Sequence, residues 1–533
     1  MSRHSLSVAL ACMVSTGCLA AGCSSEKASP ATTHPPVASS STTSASESST
    51  SSSTPTASST PTPTSTVVRT PPTEPPTEPA TTSVAVAGTA PVQFDLGSAK
   101  QPRPYDAAVK AEMNDIVAFW TTEFPKLSSS PYKPLAGKVY PGYPGRTDIP
   151  ACGGSATIDY ATELQDNAFY CPSADYVAYD DESLFPAVYG KLGAVSLGVI
   201  LAHEIGHDVQ TQAGVPSNTA TIVLEQQADC YAGTWINHLL HENNPKLPFA
   251  ESDIKNALLA LLSFKDPIGT TPAAPGAHGS GFDRVGAFED GFTNGVVKCA
   301  TYIDQLPPIL ELPVDQSFFV NNGNAPLDNP DKPVLPDPNS PTASAGIFGL
   351  LITDLPRFWQ AQLSTQNIAF TPPHVTGYDS SGRLPRCTDA AGDFANDPAV
   401  YCHADNTIYV NRTLTTALYK QIGDFAVGYA VASAYGDDVQ IALGSKLTHA
   451  KRALLDDCLA GAYTQSTIPT ASSQQNQVTV QAGDLDEAVK AAVTIGDATT
   501  TADKLGTGFE KVGAFRLGVL GGSDACKPLL NGG

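Results

Sequence analysis

The most constraining feature of this 533-residue chain is an internal duplication. Five segments recur in the same order along it. DIVAFW at Asp115–Trp120 answers DLPRFW at Asp354–Trp359, and YCPSADYVAYD at Tyr170–Asp180 answers YCHADNTIYVN at Tyr401–Asn411. DCYAG at Asp229–Gly233 answers DCLAG at Asp457–Gly461, and GSGFD at Gly279–Asp283 answers GTGFE at Gly506–Glu510. Arg284–Cys299 then aligns with Lys511–Cys526 without a gap. Any single match is weak, but a shared order marks two copies of one unit. The copies span 104–305 and 343–533, joined by a Pro/Asn/Asp-rich linker at 306–342. Each copy, at about two hundred residues, is long enough for its own core.

Ahead of the copies lie two segments of different character. Residues 1–23 read as an export signal: Arg3, an apolar stretch from Leu6 to Leu19, then small residues before Cys23. Leu19-Ala20-Ala21-Gly22-Cys23 resembles the bacterial lipobox, which implies a lipoprotein signal peptide and a lipid anchor (palmitate among the acyl groups) on Cys23. Residues 24–95 are almost entirely Ser, Thr, Pro and Ala, too poor in apolar surface to offset the entropy of ordering. They are expected to form a disordered tether. The expected location is the extracytoplasmic face of the cell membrane, held there by the lipid.

Composition excludes one class of partner. Lys and Arg total 30 against 52 Asp and Glu, a formal charge of −22, whereas nucleic-acid binding needs a basic surface.

Setting aside Cys12, Cys18 and Cys23 leaves eight cysteines, four in each copy. An even number in an exported chain reads as disulfides, with 105 possible connectivities. The pairing that repeats the same bonds in both copies is Cys152–Cys171 with Cys230–Cys299, then Cys387–Cys402 with Cys458–Cys526.

Apolar spacing predicts helices over Ala107–Phe124, Lys191–Gln212, Ile222–His241, Asp253–Leu262 and Phe282–Thr293, and a strand at Tyr176–Tyr179. Gly214, Pro216 and Ser217 separate the second helix from the third. The fold class is therefore α+β, predominantly helical, built twice.

HEIGH at His203–His207 is the sharpest chemical signal. Positions i and i+4 lie on one helix face, so both imidazoles can meet one zinc ion, with Glu204 beside them as general base. A catalytic zinc takes a third protein ligand. Glu225 on the next helix supplies it, and Asp229, one turn further, can hold a ligand histidine from behind. His238 and His241 are rival ligands but lie three or more turns beyond Glu225, as surface histidines would.

HEIGH, followed by Glu225-Gln226-Gln227-Ala228-Asp229-Cys230-Tyr231-Ala232-Gly233-Thr234-Trp235, resembles the putative neutral zinc metallopeptidase family of bacteria. Phe169-Tyr170-Cys171-Pro172, Val177–Asp180, His278-Gly279-Ser280 and Arg284 extend the likeness over most of 145–300. The resemblance implies a zincin-like fold and zinc-dependent cleavage of a peptide or protein. It assigns His203, His207 and Glu225 to zinc, Glu204 to catalysis and Asp229 to a supporting position. Asp208 departs from many relatives, which carry a third histidine there, but it points off the ligand face.

The second copy has lost this chemistry. VASAYGDDVQ at Val431–Gln440 matches LAHEIGHDVQ at Leu201–Gln210, so Ser433, Ala434 and Asp437 replace His203, Glu204 and His207, and Ala453 stands for Glu225. Asp437, Asp456 and Asp457 read as a solvated acidic face, with a calcium site the lesser alternative. Tyr231, His238 and His278 are unranked candidates for stabilising an oxyanion, and the strand at Tyr176–Tyr179 is a candidate edge for aligning an extended peptide. The expected function is peptide-bond hydrolysis at the cell envelope. An amidase acting on cell-wall peptides and a non-catalytic envelope scaffold are the rivals.

Overall fold

The computed structural model describes residues 91–531 apart from 155, 243, 275, 313, 315–322, 338, 340–343, 470–477 and 496–505. The signal segment, the anchor at Cys23 and the tether as far as residue 90 lie outside the described residues. Residues 91–95, grouped with the tether by composition, instead run along the sheet, where Phe94 bridges Val139 and the Asp95 N–H donates to the Val139 carbonyl.

The first copy opens with helix α1 (Asp106–Glu123) and a sheet of strands β1 (Val139–Gly142), β2 (Ala168–Cys171) and β3 (Tyr176–Asp180). β3 is central: β1 pairs with it in parallel, Val139 opposite Val177, and β2 antiparallel, Phe169 opposite Ala178. It therefore has no free edge, and the expectation that it would align a peptide is corrected; β2 is the outer strand. Helices α2 (Leu184–Leu192), α3 (Ala194–Ala213), α4 (Thr221–Glu242), α5 (Ile254–Ser263) and α6 (Gly281–Ala300) follow.

The second copy repeats every one of these. Helix α7 (Ile347–Ser364) answers α1, and strands β4 (His374–Tyr378), β5 (Ala399–Cys402) and β6 (Thr407–Asn411) repeat the strand order and directions. Helices α8 (Arg412–Gln421), α9 (Asp424–Ala442), α10 (His449–Thr467), α11 (Asp484–Ile495) and α12 (Gly508–Ala525) answer α2 to α6. The four disulfides follow the repeated pairing.

Two helix limits differ from the spacing-based reading. The segment Lys191–Gln212 is two helices, because Gly193 at φ 79° takes a left-handed conformation that stops one and starts the next. Helix α6 runs past Thr293 to Ala300, continuing beyond a non-helical Gly295.

Helix α3 is buried continuously from Ser196 to Gln210, as expected of a helix enclosed by α1, α4, α5 and the sheet. Gly214, in the left-handed region, ends it by donating to the Gln210 and Thr211 carbonyls. Helices α4 and α6 touch backbone to backbone. A Cβ on Gly233 would stand 2.0 Å from the Phe288 carbonyl oxygen, and one on Gly291 1.7 Å from that of Cys230. Gly461 and Gly518 repeat the arrangement between α10 and α12.

The described residues of both copies belong to one compact unit. Its internal interface joins α5 and α6 to α11 and α12. Glu289 and Arg516 hold the same position in the two aligned segments, and they pair with each other, Nε to Oε2 3.2 Å. A Cβ added at Gly286 would meet Arg516, and one added at its counterpart Gly513 would meet Glu289. A position that meets its own counterpart is the mark of a two-fold arrangement. Phe292 on Phe509, with centroids 4.6 Å apart, and Arg516 over the Phe282 ring complete the contact.

Candidate metal centre

Helix α3 carries His203 and His207 one turn apart, and α4 crosses it with Glu225 facing both. The crossing is close because residue 206 is glycine, whose absent Cβ would stand 3.0 Å from the Ala228 Cα. His203 Nε2 lies 3.1 Å from Glu225 Oε2 and 3.2 Å from His207 Nε2, and His207 Nε2 lies 3.6 Å from Glu225 Oε1. All three residues are buried.

The far side of each ring decides what these atoms are. Asp229 Oδ1 accepts from His203 Nδ1 at 2.8 Å, so the proton sits on Nδ1 and Nε2 offers a lone pair. Gln210 donates its amide to the Leu224 carbonyl, which turns its oxygen to His207 Nδ1 at 3.0 Å and leaves that Nε2 a lone pair too. Two nitrogen lone pairs and a carboxylate thus converge in a buried space. They need a positive charge between them, a proton held on His203 Nε2 against Glu225 or a metal in its place, and even with that proton Glu225 Oε1 has no hydrogen-bond partner. Tetrahedral zinc with bonds of roughly 2.1 Å would separate its ligand atoms by about 3.4 Å. The donor set fits zinc. Electrostatics point the same way: burial works against a charge on His203, but Asp229 and Glu225 outweigh it and hold its pKa up at about 10. Burial likewise opposes ionisation of Glu225, yet the two imidazoles hold its carboxyl well below the usual range. The centre is built for positive charge.

Asp229 is itself fully buried and receives Arg284 in a two-pronged pair, Nε to Oδ2 and Nη2 to Oδ1, both 2.7 Å. The next group is Glu204, whose Oε2 accepts the Tyr170 backbone N–H at 2.9 Å from strand β2. Burial, above all, raises its pKa. His278 completes the ring: Nδ1 lies 3.1 Å from Asp266 Oδ1, and Nε2, buried and without a hydrogen-bond partner, stands 3.7 Å from Glu225 Oε2.

A family model described as "Putative neutral zinc metallopeptidase" matches residues 150–302 and again 339–509, together more than half of the chain. The chain belongs to this zinc metallopeptidase family. YpfJ of Escherichia coli strain K12, an uncharacterised protein, is 28% identical over 207 residues, covering 34% of this chain and 66% of YpfJ. The uncharacterised protein Mb2605 of Mycobacterium bovis is 26% identical over 212 residues, covering 35% of this chain and 67% of its own length. The match thus spans just under two thirds of YpfJ. No solved structure matches the chain.

Within this zinc metallopeptidase frame the candidate residues His203, His207, Glu225, Glu204 and Asp229 all come together. His238 and His241 do not: His238 packs on Phe119 and reaches Asp115, and His241 is exposed. Tyr231 packs edge-on against Trp120. Asp208 anchors α3 sideways, accepting from the Tyr132 and Tyr170 hydroxyls at 2.7 and 3.3 Å. The supporting roles of Arg284, Asp266 and Gln226, which donates to the His278 carbonyl at 2.7 Å, were not read from sequence. Arg284 had a signal: it aligns with Lys511, which binds the equivalent aspartate.

That second site shows what replaces a metal. Asp457 accepts from Lys511 Nζ at 2.6 Å, Tyr429 Oη at 2.6 Å and Ser433 Oγ at 3.0 Å. Asp437, in the place of His207, pairs with Arg452, and Asp456 accepts from Gln440. The three aspartates are buried rather than the solvated face read from sequence. The family's ligand set is present only in the first copy among the described residues.

Proposed function

We propose that the chain is a zinc-dependent endopeptidase whose single reaction centre lies in the first copy, residues 104–305, with the second copy, 343–533, a packed partner that has lost the metal. The observation carrying this reading is the convergence of two histidine lone pairs and Glu225 beside a buried glutamate that is not itself a ligand. When bound there, zinc supplies Lewis-acid polarisation of water and of the scissile carbonyl. Glu204, fixed by the Tyr170 amide, takes the proton of the attacking water and returns it to the leaving amine. His278 is placed to contact the substrate oxygen at this centre, because Asp266 fixes its ring through Nδ1 and Nε2 faces the centre.

The second copy supports a way of holding substrate. There, residues 389–391 lie along the outer edge of β5: Ala390 bridges Cys402 antiparallel and the Ala391 N–H donates to the Tyr401 carbonyl at 3.0 Å. Among the described residues no segment lies along the equivalent edge of β2. An extended peptide added to β2 would run past Glu204 and donate to the Tyr170 carbonyl, while the Tyr170 N–H stays with Glu204, and side-chain pockets would supply selectivity. The second copy also keeps an open cleft of about 930 Å³, lined by Ser433, Asp437, Arg452 and Lys511, which favours binding without cleavage as a second role.

We place the protein on the extracytoplasmic side of the membrane, anchored through Cys23. Four disulfides suit an oxidising compartment, and among the described residues no helix is long and apolar enough to cross a bilayer. Cys23→Ser should release the chain from the membrane fraction; continued detergent-sensitive association would contradict the anchor.

The decisive test is digestion of an unbiased peptide library by the purified chain, with zinc content measured alongside. One zinc per chain, cleavage abolished by a chelator, and a Glu204→Gln variant that keeps zinc but loses about 10²-fold or more in kcat are expected. Near-parental turnover by folded Glu204→Gln would rule the mechanism out. Activity on cell-wall peptides with none on unfolded protein would select the amidase reading instead.

A further inference from the structure

We infer that the second copy carries a cation site of its own, a calcium site made by Asp424, Asp484 and Glu487. Asp424 is the first residue of α9, Asp484 the first of α11, and Glu487 lies in the same first turn. Each brings a carboxylate oxygen within 4.8 Å of the other two. Asp424 is 6% exposed and Asp484 8%.

The hydrogen bonds anchor one side of each carboxylate. Asp424 Oδ2 accepts the Ala325 N–H at 2.8 Å, Asp484 Oδ2 the Gln481 N–H at 2.8 Å, and Glu487 Oε2 the Phe425 N–H at 2.9 Å. Asp424 Oδ1 is buried and meets no N–H donor; the group it faces is the Glu487 carboxyl, which only a shared proton or a cation can join to it. Among the described residues no lysine, arginine or histidine forms an ion pair with any of the three; of the two lysines whose charge reaches Glu487, Lys265 is taken by Asp486 and Lys490 stands along α11 without pairing. Converging carboxylates with no directly paired cation are costly through desolvation and mutual repulsion. The two helix N-termini offset only part of that.

Backbone shape has made room for the arrangement. Gly423 sits at φ 151°, and a Cβ there would stand 1.9 Å from Glu487 Oε1, so a side chain at this position would displace the carboxylate. An all-oxygen donor set with no histidine or cysteine suits a hard divalent ion, and calcium accepts irregular geometry better than magnesium does. The site would tie three pieces together: Ala325 of the linker, the start of α9 and the start of α11. Asp486, in the same turn of α11, accepts the Phe282 N–H at 2.8 Å at the start of α6, so the joint adjoins the interface between the copies.

Calorimetric titration of the full chain, zinc-loaded and freed of calcium, tests this directly with calcium chloride. One calcium bound per chain and a higher unfolding temperature at about 1 mM calcium are expected. Asp484→Asn and Glu487→Gln should each weaken binding at least tenfold and abolish the thermal shift. Both should unfold in calcium-free buffer no lower than the parent, since each removes one of the repelling charges. His207→Ala, which strips the zinc centre, should leave calcium binding unchanged, separating this site from the catalytic reading. No calcium uptake by the parent at that concentration would overturn the proposal even if a variant failed to fold. So would uptake and thermal shift that persist unchanged in both carboxamide variants.

Discussion

Asp229 gives one oxygen to His203 and both oxygens to Arg284, all without access to water. Its charge therefore orients the ligand ring and sharpens its basicity, while Arg284 keeps that charge tolerable in the core. Asp229→Asn should weaken zinc binding by about 10–100-fold, measured by competition with a chromophoric chelator. Arg284→Lys should be milder than Arg284→Met, because Lys511 supports the equivalent aspartate in the second copy. Asp208 offers a pH test. Burial, against donors from Gln212 and Tyr132, leaves its pKa at about 6, above the unfolded value near 3.8. The folded form keeps this proton longer, so stability from this group is full below about pH 4 and falls as pH rises through about 6. Asp208→Asn should flatten that slope in unfolding titrations, by at most about 3 kcal/mol.

At the scale of elements, the centre depends on how closely α3, α4 and α6 approach. Gly291→Ala must push the α6 backbone off the Cys230 carbonyl and should cost about 1–3 kcal/mol, read by denaturant unfolding. The same movement would draw Arg284 from Asp229, so zinc affinity should fall with stability. Replacing the Cys230–Cys299 pair by alanines should cost about 2–5 kcal/mol. Apolar periodicity made most of these helices legible, including the length of α4 to within a residue at each end. It missed the stop at Gly193, because α2 and α3 are both apolar and a periodic pattern does not register a single left-handed residue. Nor can a short apolar run say whether a strand is central or outermost, since both bury the same residues.

For the whole molecule, the contact between copies rests on Glu289 and Arg516, positions that would be identical in a symmetric ancestor of the pair. Arg516→Ala leaves the largely buried Glu289 without its partner and should destabilise the chain by about 1–3 kcal/mol, because burial already pushes that carboxyl up to about 8 and it can take a proton. Replacing both residues with well-packed apolar ones should cost less than the single change, a comparison made by a double-mutant cycle. If the second copy were an independent bead, Arg516→Ala would leave the unfolding of the first untouched.

The duplication and the candidate ligand residues were legible in the sequence, because both depend on spacing along the chain and on residue type; the repeat narrowed the 105 disulfide connectivities to one, and the structure made that choice. Helical spacing places His203 over His207, and Glu225 stands one helical turn before Asp229. Tertiary structure alone decided which supporting groups meet them. Arg284 is 55 residues from Asp229, the Tyr170 amide 34 from Glu204, and Asp266 reaches the ring of His278 only through a loop. It also decided that the acids of the second copy are buried and paired rather than solvated. Spacing carries no information about burial across elements, and burial is what turns a charged side chain from a surface group into a ligand or a support.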